Sequence, residues 1–430
     1  MTDLSPTRAG NAILPEPVAA RLGAVPQDGL AAARATARDR LAVLGLPGRR
    51  DEYWRFTRPD AFNTAEVVPV PAPEGDGTLF QDLDRLTLVL VDGRFDPEAS
   101  DPLALNGVEI APLAAAGWAG SLYGELEGRA HIPVPRPFAA LNTATAADGL
   151  AIRVTGRPSK PIHIVHRRGA GEADAVWHHL VRVEPGAEAT ILETGMAGAR
   201  QNAVTEIDIA EGGRLHLIAA KRDDVPETSI SHVFARVAEG AAFKSFALAL
   251  DGRVMRREMV VDLAGDDAVV HVAAAALGRD AGFHHDDTVF ITHSAFRGES
   301  RQVFKKVLTS GATGVFQGKI LVRKGAQKTD GYQISQSLLL DDRSQFLAKP
   351  ELEIYADDVR CSHGSTTGAL DETALFYLRS RGVPRARAVV LLVLSFLADA
   401  LAEIEDEDLR GRIADRLEAA LGGGLEGADA

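Results

Sequence analysis

The sequence predicts a mainly β chain whose core is a parallel β-helix held between helical segments. Three observations predict it. Short apolar segments from Leu150 to about Arg360 alternate with period two, as in Ile152-Arg153-Val154, Ile162-His163-Ile164, Val181-Arg182-Val183 and Leu215-His216-Leu217. Turn signals follow such strands at Glu184-Pro185-Gly186-Ala187, Ala210-Glu211-Gly212-Gly213, Ala238-Glu239-Gly240-Ala241 and Leu263-Ala264-Gly265-Asp266, and their glycines lie 26, 28 and 25 residues apart. Units that cannot bury an apolar face alone stack into a solenoid with such a period. A sandwich or barrel would turn every ~8–12 residues. Both ends of the chain, by contrast, carry helical patterns.

Taken in order, residues 1–77 form a helical region and linker. Leu30, Arg34, Ala37, Leu41 and Leu44 recur at helical spacing after Asp28-Gly29, and Gly45 with Pro47-Gly48 stops the run. The aromatic run Glu52-Tyr53-Trp54-Arg55-Phe56-Thr57 reads as a docking segment. Val67 to Gly77 is Pro/Gly-rich and reads as a linker. Residues 78–149 are a mixed connection, with a buried strand at Leu86 to Val91 and a helical or irregular stretch broken by Pro133, Pro135 and Pro137. The β-helix spans 150–368. Residues 369–430 predict three helices: Thr373 to Ser380, closed by Gly382 and Pro384, then Arg385 to Glu405, then Glu407 to Leu421. Val389, Leu392, Val393, Phe396 and Ala400 form a wide apolar face that docks on the body and leaves room for a partner.

A chain of 430 residues exceeds one simple core, which stops growing near ~250–300 residues. The formal charge of -13 argues against nucleic acid. A single cysteine excludes an internal disulfide framework and fits a reducing, cytoplasmic setting. The polar, Pro-bearing start predicts no cleavable signal, and the most apolar run, Ala388 to Leu397, is shorter than the ~20 residues that cross a bilayer.

Chemistry concentrates at Ala356-Asp357-Asp358-Val359-Arg360-Cys361-Ser362-His363-Gly364. On a strand, Cys361 and His363 share a face and make a soft sulfur–nitrogen pair. Iron–sulfur clusters and structural zinc take about four ligands, so this pair is incomplete alone. The bland reading is a buried thiol beside a bonded histidine. An uncapped solenoid edge nearby would admit a second β-helix, which could supply the missing ligands. His284, His285 and His293 are ligand types, but adjacent strand residues face opposite ways, which disfavours a shared ion. No Walker loop, Gly-x-Ser-x-Gly or His-Glu-x-x-His is present, and no spacing singles out a carboxylate pair.

Several long motifs then occur in order: Phe316-Gln317-Gly318-Lys319-Ile320, Ala326-Gln327-Lys328-Thr329-Asp330, Leu338-Leu339-Leu340, Pro350-Glu351-Leu352-Glu353-Ile354, Ala356-Asp357-Asp358-Val359, Cys361-Ser362-His363-Gly364 and Leu375-Phe376-Tyr377-Leu378-Arg379-Ser380-Arg381-Gly382. Together with Tyr53-Trp54-Arg55-Phe56-Thr57 they closely resemble the SufB/SufD family of iron–sulfur cluster assembly proteins. SufB-type members carry more cysteines, including the catalytic one, so the single cysteine resembles the other branch. The resemblance implies a right-handed parallel β-helix and a non-catalytic scaffold. It implies a heterodimer with a SufB-like subunit, two copies of a SufC-like ATPase, and a transient cluster shared with the partner chain.

By the same resemblance, His363 is the main cluster-assembly residue and Cys361 a weaker one. The boundary with SufB takes in Ala356, Asp357, Asp358, Val359 and Arg360. SufC docks at Leu375, Phe376, Leu378, Arg379 and Arg381. Phe56 and Gly331 stand where Tyr and Ala are commoner, and neither change is expected to touch the site. Two other readings stay open: a stand-alone carbohydrate-active β-helix enzyme, and a purely structural dimerisation module. A homodimer of the isolated chain is also compatible with an open edge.

Overall fold

A computed structural model describes residues 18, 19, 22, 26–67, 79–169, 174–220, 228–250 and 252–425. The linker expected from Val67 to Gly77 lies almost wholly outside them. The strands are β1 Leu86–Val91, β2 Arg94–Asp96, β3 Val108–Pro112, β4 Leu150–Val154, β5 Ile162–Arg167, β6 Asp174–Val183, β7 Glu188–Gly195, β8 Arg200–Ile209, β9 Arg214–Ala220 and β10 Thr228–Val237. They continue with β11 Ala242–Leu250, β12 Val254–Leu263, β13 Val269–Gly278, β14 His284–His293, β15 Glu299–Leu308, β16 Thr313–Val322, β17 Asp330–Leu339, β18 Gln345–Ile354 and β19 Arg360–Gly368.

From β4 onward successive strands alternate between two sheets. One runs β19-β17-β15-β13-β11-β9-β7-β5-β1-β2, the other β18-β16-β14-β12-β10-β8-β6-β4-β3. Pairing is parallel, apart from the antiparallel pairs β1–β2 and β3–β4 at the start. This is the expected β-solenoid. Its register steps 26 residues from Glu188 to Arg214 and 28 from Arg214 to Ala242. The turn glycines mark the same steps. Gly186, Gly212 and Gly240 have φ of 68, 65 and 60 degrees, a region that side chains disfavour.

The inward faces of both sheets make one continuous core. Ile191, Leu217, Ala247, Val272 and Phe304 come from one sheet, and Ile207, Ala235, Met259, Val289 and Phe316 from the other. Outward faces are covered on both sides. The helices Glu372–Ser380, Arg385–Leu401 and Glu407–Leu425 form beyond β19. Val393, Leu397 and Ala400 of the middle helix pack against Phe246, Leu248, Ala275 and Val303. Lys305–Asp399 at 2.9 Å and Arg301–Glu403 at 2.6 Å fasten the rim. Asp371 caps the first of these helices by accepting from the N–H groups of Thr373 and Ala374.

The N-terminal part covers the other sheet. The helix Ala31–Leu44 ends at Gly45, as the pattern predicts. Pro137, expected to break a helix, instead opens one, Pro137–Thr145, because its fixed φ and missing N–H suit the first turn. The aromatic segment is a docking element. Trp54 packs on Phe62 and Phe138, and the Arg256 guanidinium lies 4.2 Å from the Trp54 ring centroid. Beneath it Arg256 donates to Glu258 at 2.7 Å and Asp286 at 2.6 Å, and Arg136 pairs with Glu258 at 3.1 Å. Burial pushes the Glu258 carboxyl up, but Arg256, His232 and Arg136 outweigh it and hold it at about 2.

Several histidines are buried as neutral rings. Burial pushes His163, His179 and His285 down to about 3, and His216, His232 and His293 to about 4. In the unfolded chain each would take a proton near its ordinary value of about 6.5. Their contribution to stability is therefore fully present above that pH and is lost as pH falls through the interval down to about 4. The melting temperature should drop progressively between pH 6.5 and 4 in a calorimetric or circular-dichroism series. A flat profile across that interval would contradict the burial of neutral rings.

Candidate functional site at the terminal rung

A stacked strand meets its backbone hydrogen bonds from both neighbours. β19 pairs only with β17, and β18 only with β16. The helices lie on the outward faces of the sheets, so the last rung stays open. No residue of β18 or β19 is buried, whereas most of β16 is. Ile354 and Tyr355, where β18 gives way to the next turn, are 40% and 59% exposed. Such an edge is a template for strand pairing with another chain.

The sequence-predicted pair lies on this rung. In register, Cys361 sits beside Gly331 and His363 beside Gln333. Two residues further, the Ser335 hydroxyl donates to Ser365 at 3.0 Å and Ser337 to Thr367 at 3.2 Å. Gln336 meets Thr366 on the opposite face at 3.2 Å. Cys361, His363, Ser365 and Thr367 therefore share the inward face, continuing the solenoid interior to its open end. The His363 ring is exposed and makes no hydrogen bond or ion pair within the described chain.

Cys361 differs from its neighbour. It is a free, half-buried thiol packed near Ile320, Val322 and Ala326. Burial raises its thiol above the ordinary range, against a backbone hydrogen bond at Gly331 that lowers it. At neutral pH it is a thiol, the weaker nucleophile and metal ligand. Gly331 does touch the site, contrary to expectation: a Cβ there would stand 3.2 Å from the Cys361 sulfur. One rung separates the two residues in sequence, so only stacking reveals their contact.

The other predicted residues divide by exposure. Asp357, Asp358 and Arg360 are exposed in the turn and strand start, and Val359 is half-buried. Ala356 is buried beside Ile320 and Val322. On the helix Glu372–Ser380, Phe376 and Tyr377 are 74% and 57% exposed, and Arg379 and Arg381 face solvent. Leu378 is half-buried. Leu375 is buried against the other C-terminal helices and anchors its helix.

Elsewhere the ligand-type groups are already engaged. His284 meets Thr57 at 2.8 Å on the outward face, while inward-facing His285 meets Lys306 at 2.8 Å. His293 meets Ser300 at 2.8 Å. Asp286 grips Arg256 and Asp287 grips Lys306, which leaves neither as a free carboxylate pair for glycoside hydrolysis. Among the described residues no three His, Cys, Asp or Glu side chains converge to hold a metal ion. No helix among them is long and apolar enough to cross a membrane. Sequence reading missed one feature: Gln302, Gln333 and His363 lie in register on β15, β17 and β19. Their spacing of about one rung was the available signal.

The Cys361 geometry predicts slow alkylation. Iodoacetamide should react with the native chain at pH 7 more slowly than with a model thiol, and the rate should rise only above ~8.5. Reaction at the model-thiol rate at pH 7 would contradict it.

Residues 166–396, more than half of the chain, match the family described as SUF system FeS cluster assembly, SufBD core domain. The chain is 30% identical over 399 residues to the iron–sulfur cluster assembly protein SufD of Escherichia coli, covering 89% of this chain and 91% of that protein. It is 27% identical over 410 residues to an iron–sulfur cluster assembly SufBD family protein of Synechocystis, covering 88% of each. It is 24% identical over 400 residues to the chloroplastic protein ABCI7 of Arabidopsis thaliana, covering 87% and 82%. Together with the stacked parallel sheets, these likenesses establish that the chain belongs to the SufBD family of iron–sulfur cluster assembly proteins.

Proposed function

We propose that this chain is a non-catalytic scaffold subunit of a SufBCD-type assembly complex, working in the cytoplasm. A SufB-like subunit pairs with the open rung, and the nascent cluster is cargo formed at that boundary. His363 contributes a neutral imidazole to it, and cysteines of the partner supply the remaining ligands. Cys361, a protonated thiol, has the lesser part. The exposed turn residues Asp357, Asp358 and Arg360 flank the boundary. Residues 150–368 act as the scaffold body between the regions 1–77 and 78–149 and the helical region 369–430.

One observation carries this reading. The solenoid's only histidine on an unpaired rung is exposed, unbonded within the described chain, and on the inward face that a second rung would close. A histidine without a partner at an edge built for pairing suits a site completed by another chain. A SufC-like ATPase docks on the helix Glu372–Ser380 through Phe376, Arg379 and Arg381. The ion pairs from Lys305 and Arg301 to the next helix and turn give its movement a route to the sheet that holds β19.

His363→Ala should leave the melting temperature and co-purification with partners unchanged. Iron and sulfide per complex should fall by about 10-fold or more. Unchanged iron and sulfide would overturn the role given to His363 and favour a structural pairing module. Phe376→Ala should weaken binding of the ATPase about 30-fold in calorimetric titration, the loss typical of a buried aromatic anchor. Unaltered affinity would move the docking site elsewhere.

A further inference from the structure

The interior of a β-solenoid is normally filled by apolar side chains, and three rungs below the site this column is. The inward column that ends at His363 runs back through Gln333 on β17 and Gln302 on β15 to Val272 on β13. Val272 is fully buried in the apolar core. Gln302 and Gln333 are each 0% exposed. The oxygen and nitrogen of both side-chain amides have no hydrogen-bond partner among the described residues.

Buried amides without partners are rare because each unpaired group loses its solvation for nothing. Packing alone would favour an aliphatic side chain at both positions. The opposite strand is shaped to admit the amide. Gly318 faces Gln333, and a Cβ there would come within 2.5 Å of its Oε1. The two glutamines thus form an unpartnered polar column beside the apolar core, and it ends at the rung bearing His363.

We infer that Gln333, backed by Gln302, is a positioning residue for His363. Neighbouring parallel strands lie about 4.8 Å apart, a gap that a glutamine amide spans. When a partner closes the last rung and restricts the His363 ring, the Oε1 of Gln333 accepts the N–H of one ring nitrogen. That contact fixes the tautomer and turns the other nitrogen, with its lone pair, toward the boundary. Histidines that bind metal are commonly oriented by such a bond at the second nitrogen. In that closed state Gln302, the next amide in the column, is placed to pair with the Gln333 amide and select one of its two flips. This rests on the reading of His363 given above.

The test uses the complete complex co-purified with its native partners and isotope-labelled histidine. Gln333→Leu removes the amide at similar volume, and Gln333→Asn keeps an amide. In the isolated full chain, where the amide is unpaired, the leucine variant should melt at or above the wild-type temperature. Its His363 nitrogen shifts should change from one dominant tautomer to a mixture. Iron and sulfide per complex should fall about 10-fold, with partial recovery in the asparagine variant. Wild-type nitrogen shifts together with wild-type iron and sulfide in Gln333→Leu would overturn the inference. A lower melting temperature of the isolated variant chain would also overturn it, since the amide would then be structural. Should His363→Ala retain full cluster content, the role of His363 fails, while the nitrogen shifts still decide whether Gln333 orients the ring.

Discussion

Every rung of a stacked β-solenoid relies on two neighbours for its backbone hydrogen bonds, and the last rung has one. That constraint governs the end of this molecule. An exposed row of N–H and C=O groups is tolerable in water but invites pairing. Here the row belongs to β18 and β19, and among the described residues no helix turns back over it. The helices instead cover the outward faces, where their apolar stripes meet Phe246, Leu248 and Val303 on one side and Ile230 and Phe234 on the other. The edge is thus left open while everything around it is closed. The chemistry follows from the same fact, since inward-facing side chains become reachable only at the open rung.

Buried polar groups are treated differently beneath the N-terminal cover and toward the terminal rung. Beneath the docked aromatic segment the buried charges of Arg256, Glu258, Asp286 and Arg136 are matched to one another. Leaving one such charge unmatched would be strongly destabilising. Toward the terminal rung the interior changes character. Phe304 and Phe316 still pack at 4.6 Å, but Gln302, Gln333 and Ser335 then line the tube. A polar interior that leads to an open histidine is the reverse of what a purely mechanical module needs.

Much of the fold was legible because it rests on period. The turn glycines from Gly186 to Gly265 record the rung length directly, since each rung must return to the same place. Gly45, Asp371 and Gly382 punctuate helices by local backbone chemistry, which sequence also displays. The opposite facing of His284 and His285 followed from strand pleating alone. What escaped notice depends on stacking. The contact of Gly331 with Cys361 and the alignment of Gln302, Gln333 and His363 join residues about one rung apart, with nothing local to mark them. The burial of Leu375 and Ala356 likewise depends on neighbours far away in the chain, which motif membership does not display. Pro137 was misread because proline both ends and begins helices, and the difference lies in which side of it the chain turns.

The central claim is that the open edge is completed by another chain. Amide hydrogen exchange along Arg360–Gly368 measures this most directly, in the dilute isolated chain and in the complex with the proposed SufB-like partner. Completion predicts that the outward-facing amides of β19, fast in isolation, slow by about 100-fold in the complex as they gain strand partners. Equal exchange in both states, with the partner demonstrably bound, would mean that the partner sits elsewhere and that the terminal rung is not the site.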